Sequence, residues 1–361
     1  MFMEVILEKA IYEFQIEGKP IKSKSFGHGH INQTFVVETD VGKKYTLQQI
    51  NTHVFKNPVE VMENVVAVTE HIRKKTGKPN SALCFLQAED GKFYYEDEEG
   101  QFWRCYEFVE GLCLDAPETD EDFYESAVAF GRFQQQLADF PAETLHETIP
   151  NFHNTPERYR LLKEAIDNDA CDLVKTVQEE LDFILQREKE AGTIQELLDE
   201  GKIPLRVTHN DTKLNNVLLD AKTRKALCVL DLDTVMPGTS LMDFGDSIRF
   251  GAATAPEDTK ELDKMAMDLH LFEVYTKGYL KVCESMTDEE IELLPLGAKT
   301  ITLELAVRFL TDYLEGSRYF KIDYPEHNLV RARAQLKLVK DMENKWEEMK
   351  KIVEKCREEK Q

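Results

Sequence analysis

The stretch that most constrains the fold is residues 209–216, His-Asn-Asp-Thr-Lys-Leu-Asn-Asn. Within it, Asp211 is followed two positions later by Lys213 and five positions later by the Asn that ends the stretch. A short apolar run, residues 227–230, then ends in Asp231, 20 residues after Asp211. Such a run predicts a buried strand that delivers a carboxylate to a loop. The chain is therefore expected to bring two carboxylates, an amide and an ammonium group together.

This spacing fits the catalytic loop of kinases, where an Asp accepts the proton of the substrate hydroxyl and an Asn five residues later holds magnesium. We assign Asp211 as the base and Lys213 as a donor that reaches the transferring phosphoryl group. Mg²⁺ takes oxygen ligands and only one or two carboxylates, so Asn216 and Asp231 are its predicted ligands. Asp233 is a possible third ligand.

A polar loop between two strands is the alternative interpretation, because Asn, Asp and Thr are common turn residues. The downstream strand that ends in Asp-Leu-Asp favours the kinase-like interpretation. Residues 243–245 also spell the Asp-Phe-Gly metal motif of protein kinases. However, Asp243 stands 32 residues after Asp211, which is too far by comparison with Asp231. We therefore interpret Asp243 as a structural residue that braces the backbone of the catalytic loop.

The region resembles the aminoglycoside phosphotransferase and choline kinase superfamily. Within that superfamily it resembles the N-acetylhexosamine 1-kinases, through the strings VTHNDTKLNN, DLDT, MPG and DFGDSIRFGA. Four further strings extend the resemblance: GHIN at 29–32, LQQIN at 47–51, RFLTDYLEG at 308–316 and YPEHNLVR at 324–331. The resemblance therefore covers almost the whole chain.

The resemblance implies an α+β, bilobal, protein-kinase-like fold. The pattern of the chain agrees with it, since residues 21–26, 34–38 and 44–50 are β-like and the later residues follow long helical periods. We expect a small N-terminal lobe with an antiparallel sheet, residues 1–108, and a larger, mainly helical C-terminal lobe, residues 109–361. The last helix is expected to span residues 328–354, with an apolar stripe that packs in the core.

The nucleotide is expected to bind between the lobes. Gly27 and Gly29 lie in a loop whose backbone N–H groups fold over phosphates, although a two-glycine hairpin turn is the alternative. The third strand offers glutamines, among them Gln49, where a nucleotide-contacting lysine is usual. We also assign Tyr106 and Phe108 to the nucleotide, because the strand that carries them runs into the link between the lobes. That last placement is by analogy with other bilobal kinases.

The resemblance further implies ATP-dependent phosphorylation of the anomeric hydroxyl of N-acetylglucosamine or N-acetylgalactosamine, with Mg²⁺ as cofactor. His30, Arg308 and Tyr319 would contact the sugar, and Asp211 would take the anomeric proton. A turn histidine is the alternative for His30, and an ion pair with Asp312 is the alternative for Arg308. Two other functions stay open. One is a kinase of the same superfamily acting on choline, homoserine, methylthioribose or an aminoglycoside, and the other is a non-catalytic nucleotide-binding module.

Composition excludes other classes of function. The chain has 361 residues, with 45 basic against 68 acidic residues and a net charge of -23, so a nucleic-acid partner is not expected. Seven cysteines without a C-x-x-C pair indicate a reducing, cytoplasmic setting. No window approaches 18 consecutive apolar residues, so no membrane segment is expected. The expected partners are ATP and a small sugar, and a monomer is favoured over an oligomer.

Overall fold

The computed structural model describes residues 9–26 and 31–360. An antiparallel sheet of five strands, in the order β1-β2-β3-β5-β4, forms the N-terminal part. Its strands are β1 (Pro20–Ser25), β2 (Gln33–Thr39), β3 (Lys44–Ile50), β4 (Tyr95–Glu96) and β5 (Phe102–Glu107). The predicted glycine loop, with Gly27, Gly29 and His30, lies outside the described residues.

Side chains alternate between the two faces of this sheet, because successive residues of a strand point in opposite directions. One face carries Leu47 and Trp103, which pack with Ala10 of the helical residues 9–12. The other face carries Gln48 and Arg104, which are paired across β3 and β5. This second face is turned toward the first long helix and the C-terminal part of the chain.

Helix α1 (Pro58–Thr76) contacts this second face, where Met62 Sδ lies 3.9 Å from Arg104 Nη1. Proline is favourable in the first helical turn because its missing N–H would be unpaired there anyway. The helix ends at Gly77, whose φ of 62° is the left-handed conformation common just after helices. Its buried face includes Met62, Asn64 and Val65. The helix therefore presents one polar amide, that of Asn64, to the interior.

The C-terminal part is mainly helical. Its helices are α2 (Asp120–Gln136), α3 (Thr155–Asn168), α4 (Gln178–Leu185), α5 (Glu188–Ala191), α6 (Thr193–Asp199), α7 (Ser240–Gly251), α8 (Leu269–Val282), α9 (Asp288–Glu292), α10 (Leu294–Leu314), α11 (His327–Asn344) and α12 (Trp346–Lys360). Two small antiparallel pairs lie between α6 and α7: β6 (Arg206–Thr208) with β9 (Met236–Gly238), and β7 (Val217–Leu219) with β8 (Ala226–Val229).

This architecture confirms the predicted α+β fold with an antiparallel N-terminal sheet and a helical C-terminal part. The lobe boundary at residue 108 stays a prediction, although β5 ends one residue before it. The single helix predicted over 328–354 is wrong, because the chain breaks it at Lys345. There the Lys345 ammonium binds the carbonyl of Met267 at 2.8 Å and the carboxylate of Asp341 at 2.8 Å. In the part of the chain that the structure describes, no helix is long and apolar enough to cross a membrane.

Helices α7 and α10 cross in backbone contact. A Cβ built on Gly245 of α7 would lie 2.5 Å from the carbonyl oxygen of Gly297 and 2.8 Å from Ile301. Both distances are shorter than van der Waals contact, so only glycine fits this crossing. Because α7 also supports the catalytic loop, the crossing sets the position of the loop relative to α10.

We expect Gly245→Ala to lower the free energy of unfolding by about 2 kcal/mol, the usual cost of overpacking a core. Chemical denaturation followed by circular dichroism measures this. The matched control is Gly192→Ala, where the new Cβ meets its nearest neighbour at 3.6 Å. A Gly245→Ala protein as stable as the control would contradict this account of the crossing.

Candidate active site

The catalytic loop follows β6 and is organised around the ring of His209. His209 is fully buried between Phe130 and Phe133, with ring centroids 5.4 and 6.0 Å away. Its Nε2–H donates to the carbonyl of Leu230 at 2.7 Å, and its Nδ1 accepts from the N–H of Asp211 at 3.3 Å. The ring thereby joins the loop that carries Asp211 to the end of β8.

The Asp243 carboxylate of α7 braces the same loop from below, as the sequence interpretation expected. Its Oδ2 accepts from the N–H of His209 and its Oδ1 from the N–H of Asn210, both at 2.8 Å. Gln134 also donates to Oδ2, at 3.2 Å. Burial raises the pKa of Asp243 above its ordinary value, although the backbone hydrogen bonds act in the opposite direction. Asp243 is therefore a support of the loop rather than a metal ligand.

A second carboxylate of α7, that of Asp246, holds the next residue of the loop. It accepts from the N–H of Thr212 at 3.1 Å and is paired with Arg249 at 2.8 Å. Arg249 is buried and also contacts Glu257. Its guanidinium is thus committed to two carboxylates and is not placed to neutralise a phosphate.

The loop presents Asp211, Lys213 and Asn216 as one group. Lys213 Nζ lies 2.8 Å from Asp211 Oδ1. The amide nitrogen of Asn216 donates to the Asp211 carbonyl at 2.8 Å and to Asp211 Oδ2 at 3.0 Å. Although burial acts in the other direction, the carboxylates of Asp211 and Asp246 raise the pKa of Lys213 above its ordinary value. A protonated ammonium group therefore stands beside the carboxylate that we assigned as the base.

Asp231 stands at the open end of the β7–β8 hairpin, next to Asn216. The hairpin pairs Val217 with Val229, and the N–H of Leu230 donates to the Asn216 carbonyl at 2.8 Å. Asp231 itself has a φ of 53°, a left-handed conformation that is uncommon outside glycine. The surrounding protein must hold this conformation, because it costs free energy.

The Asp231 side chain is open to solvent and lies among other carboxylates. Desolvation raises its pKa to about 6, and the charges of Asp233 and Asp211 act in the same direction. Solvent exposure weakens this effect. The local excess of negative charge is nevertheless the environment that a bound cation relieves.

The residues present fit a magnesium ion. The amide nitrogen of Asn216 is committed to Asp211, so its amide oxygen is on the free side of the group. The Asp231 carboxylate accepts no hydrogen bond within the described residues. One carboxylate and one amide oxygen, with water and phosphate oxygens filling the other positions, match the ligand preference of Mg²⁺.

Asp233, our possible third ligand, is placed differently. Its Oδ1 is paired with Arg104 of β5, and its Oδ2 accepts from the amide of Asn32 at 2.6 Å. The side chain is 2% exposed. Both oxygens already have partners, so these contacts do not favour Asp233 as a metal ligand.

On the nucleotide side, the position of Gln49 corrects the sequence assignment. Gln49 pairs with Trp103 on the outer face of the sheet, and its amide donates to Gln101 at 2.6 Å. Its neighbour Gln48 faces the cleft, where it accepts from Arg104 at 2.9 Å. The strand alternates with a period of two, so an error of one residue moves the side chain to the wrong face.

Tyr106 and Phe108 lie at the end of β5, where the link to the C-terminal part begins. Tyr106 is on the cleft face, with its ring 5.2 Å from that of Phe85. Phe108 packs edge to face on Phe26 at 5.5 Å, and Phe26 directly precedes the predicted glycine loop. Both placements are compatible with a nucleotide site, and the contacts to nucleotide stay predictions.

On the acceptor side, the structure brings Arg308 and Tyr319 together. The Arg308 guanidinium carbon lies 5.9 Å from the Tyr319 ring centroid and 5.1 Å from that of Phe152. The alternative pairing of Arg308 with Asp312 does not occur among the described residues. Asp312 instead accepts from the N–H groups of the 318–320 loop, that of Tyr319 at 2.8 Å, and so positions this loop beside Arg308.

His153 connects this region to the catalytic loop, and sequence reasoning missed it. Its Nδ1 lies 2.8 Å from the Glu304 carboxylate, and its Nε2 donates to the Asn210 carbonyl at 3.4 Å. Although burial acts in the other direction, His153 and Arg308 hold the pKa of Glu304 below its ordinary value. The histidine and its partner Glu304 lie 151 residues apart in the chain, so no local pattern identifies them.

A cavity of about 640 Å³ lies behind the catalytic loop. Asn210, Phe152, Glu147 and Asp199 form part of its wall. Asp211, Arg308 and Tyr319 are not in its wall. The cavity therefore adjoins Arg308 through Phe152, but its wall does not contain the residues assigned to the sugar.

Comparison with known families gives a match over most of the chain. The model of the phosphotransferase enzyme family matches residues 22–272. This segment includes the five-stranded sheet except for the first two residues of β1, together with the catalytic loop and α7.

Solved structures are similar over most of their length. A microcompartment-associated aminopropanol kinase is 16% identical, with 96% of this chain and 98% of that chain covered and a TM-score of 0.62. An amicoumacin kinase in complex with AMP-PNP and Ca²⁺ is 14% identical, with 92% of each chain covered and a TM-score of 0.60. An ethanolamine kinase from Plasmodium vivax is 14% identical, with 87% of this chain and 82% of that chain covered and a TM-score of 0.53. At these identities the similarity shows the fold, and the predicted protein-kinase-like fold is confirmed.

We expect Asp243→Ala to lower the free energy of unfolding by about 3 kcal/mol, because it leaves two buried N–H groups of the catalytic loop unpaired. Thermal or chemical denaturation measures the change. Asp263→Ala, at an exposed aspartate, is the control and should shift stability by less than about 0.5 kcal/mol. An Asp243→Ala protein with control-like stability would show that the loop does not depend on this carboxylate.

Proposed function

Since the chain belongs to the phosphotransferase enzyme family, we propose that it is an ATP- and magnesium-dependent kinase that phosphorylates the anomeric hydroxyl of an N-acetylhexosamine. The observation that carries the transfer chemistry is the arrangement of Asp211, Lys213 and Asn216 on one loop, with Asp231 beside them. The sugar rests on the resemblance to N-acetylhexosamine 1-kinases and on the residues gathered around Arg308.

In the proposed reaction, the Asp211 carboxylate accepts the proton of the C1 hydroxyl. The oxygen of that hydroxyl forms a bond to the γ-phosphorus, the bond from that phosphorus to the ADP oxygen breaks, and ADP leaves. Lys213 is a protonated donor beside the base and stabilises negative charge on the transferring group. The hydrogen bond from the Asn216 amide to Asp211 Oδ2 keeps this carboxylate oriented for the step.

Asn216 and Asp231 would hold Mg²⁺, which supplies neutralisation of charge on the phosphate oxygens. The use of a nucleoside triphosphate is supported by the fold neighbour solved with AMP-PNP and Ca²⁺. The surface of the protein is strongly acidic, so a local set of cations is needed before an anionic nucleotide binds.

The acceptor side favours a neutral polyol over an amine. Arg308 carries a positive charge beside the rings of Phe152 and Tyr319, a setting that suits sugar hydroxyls and an apolar sugar face. Glu304, the nearby carboxylate, is fully buried, and its oxygens are taken by His153 and Thr155. It is therefore not available to bind an ammonium group.

An amine-bearing acceptor is the second candidate, since fold neighbours include kinases named for aminopropanol and ethanolamine. The observation in its favour is the cavity behind the catalytic loop, which has Glu147 and Asp199 in its wall. A coupled assay of ADP release with a panel of sugars, amino alcohols and aminoglycosides separates the two candidates.

The first prediction for this function concerns the base. We expect Asp211→Asn to reduce kcat by at least about 100-fold, because an amide cannot accept the hydroxyl proton. Binding of AMP-PNP with Mg²⁺, measured by calorimetry, should change little. Near-normal turnover in this variant would refute the assignment of Asp211.

The second prediction concerns the position of the phosphate. With N-acetylglucosamine and ATP, phosphorus NMR should show a phosphate coupled to the C1 proton. The 1-O-methyl glycoside should be inert, because its only reacting oxygen is blocked. Phosphate on O6, or turnover of choline or homoserine without turnover of the sugar, would reject the sugar 1-kinase and leave only the phosphotransferase.

A further inference from the structure

The middle of strand β3 carries no lysine on the face that is turned to the cleft. In protein kinases a lysine of this strand contacts the phosphates and pairs with a glutamate of the following helix. By strand alternation, the face of β3 that carries Gln48 also carries Lys44 and Thr46. Lys44, at the start of the strand, is paired with Glu110 at 2.6 Å and not with a glutamate of α1. Helix α1 places Met62 and Asn64 on its buried face. Glu63 of α1 is turned outward, 2.7 Å from His146. The usual pair is therefore missing from both elements.

A different buried ion pair joins the two parts of the chain at this place. Arg104 is directly opposite Gln48 in the sheet, and its Nε donates to the Gln48 amide oxygen at 2.9 Å. Its Nη1 is paired with the Asp233 carboxylate, and the two side chains are 4% and 2% exposed. The cation thus comes from β5 instead of β3, and its partner comes from the loop after Asp231 instead of α1.

A second contact from the N-terminal part strengthens this pair. Asn32, which directly precedes β2, donates to the other oxygen of Asp233 at 2.6 Å. The amide oxygen of Asn32 accepts from the N–H of Asn51 at 2.9 Å, so the Asn32 side chain is itself held. Both oxygens of the Asp233 carboxylate are therefore bound by the N-terminal part of the chain.

The catalytic loop holds the same short segment from the other side. The Asn210 amide donates to the Thr234 carbonyl at 2.8 Å, and the Thr234 hydroxyl donates to the His209 carbonyl at 2.7 Å. Asn64 of α1 also donates to the Val235 carbonyl, at 3.0 Å. Asp231, in its left-handed conformation, is thus followed by residues that are bound by both parts of the molecule.

From these contacts we propose that Arg104, Asp233 and Asn32 form a clamp that positions Asp231 for the magnesium-bound nucleotide, in place of the lysine–glutamate pair of other kinases. The proposal rests on the proposed function. Arg104 and Asp233 are positioning residues, since neither is placed to ligate the metal while each binds the other.

The clamp is expected to affect nucleotide affinity differently with and without Mg²⁺. Loss of the clamp should weaken nucleotide binding mainly when Mg²⁺ is present, because the clamp acts through Asp231. Nucleotide binding in EDTA, which does not use Asp231, should change much less. A pair with only a structural role would lower thermal stability without separating these two affinities.

The experiment compares wild type, Arg104→Gln, Asp233→Asn, the double variant and Arg104→Lys. Calorimetry measures AMP-PNP binding with Mg²⁺ and in EDTA, and thermal unfolding measures stability. The matched control is Arg206→Gln, which breaks another buried arginine pair, with Glu290, at 2.6 Å and with side chains 9% and 0% exposed. Asn32→Ala is a milder second variant, used where a substitution of the ion pair prevents folding.

We expect Arg104→Gln and Asp233→Asn to reduce the magnesium-dependent gain in affinity by roughly 10- to 100-fold, the range found for groups that orient metal ligands. The double variant should lose no more than either single variant, because all three remove one interaction. Arg104→Lys should recover part of the gain, and Arg206→Gln should keep it.

Equal losses of affinity with Mg²⁺ and in EDTA would overturn the proposal. It would also be overturned if the folded clamp variants gained affinity from Mg²⁺ to within about twofold of the gain measured for the control. Wild-type protein that does not bind AMP-PNP with Mg²⁺ would reject the proposed function itself. The two failures are therefore distinguishable.

Discussion

The site depends on the buried carboxylate of Asp243, which accepts hydrogen bonds from the backbone N–H groups of His209 and Asn210. A buried N–H without an acceptor is costly, so the loop keeps the conformation in which both groups are paired. The backbone of Asp211 follows directly. Helix α7, which supplies the carboxylate, is in turn positioned by its close crossing with α10 at Gly245. The position of Asp211 therefore depends on the packing of α7 against α10.

Tertiary packing also decides how the cationic side chains are used in this protein, whose net charge is -23. Two arginines near the site are committed to carboxylates: Arg249 to Asp246 and Arg104 to Asp233. Lys213 is different, because it is 35% exposed and stands beside the proposed base. Buried arginine pairs hold the backbone in place, while the flexible lysine is positioned to meet a phosphoryl group. Burial therefore separates the arginines that support the structure from the lysine that can contact a phosphoryl group.

Prediction from sequence was most successful where the residues are close together along the chain. The first three strands are close to the predicted ranges, and Asp243 has the bracing role expected for it. It was least successful across long separations. Gln49 was assigned to the nucleotide but lies on the outer face of the sheet. The assignment failed because strand alternation alone does not identify which face is turned to the cleft. Asp233 is bound to Arg104, which lies 129 residues earlier in the chain. The identity of neither residue predicts that it pairs with the other.

By itself, the sequence determined the chemical groups and their order: a carboxylate, a lysine and an amide within six residues, and a second carboxylate 20 residues after the first. Those spacings require a loop and a hairpin, which are local structures set by short-range sterics and hydrogen bonds. Only the tertiary structure decided which charged side chains are committed to one another, such as Arg104 with Asp233 and His153 with Glu304. The reason is that burial and ion pairing depend on which distant segments share the interior, and packing of the whole chain settles that.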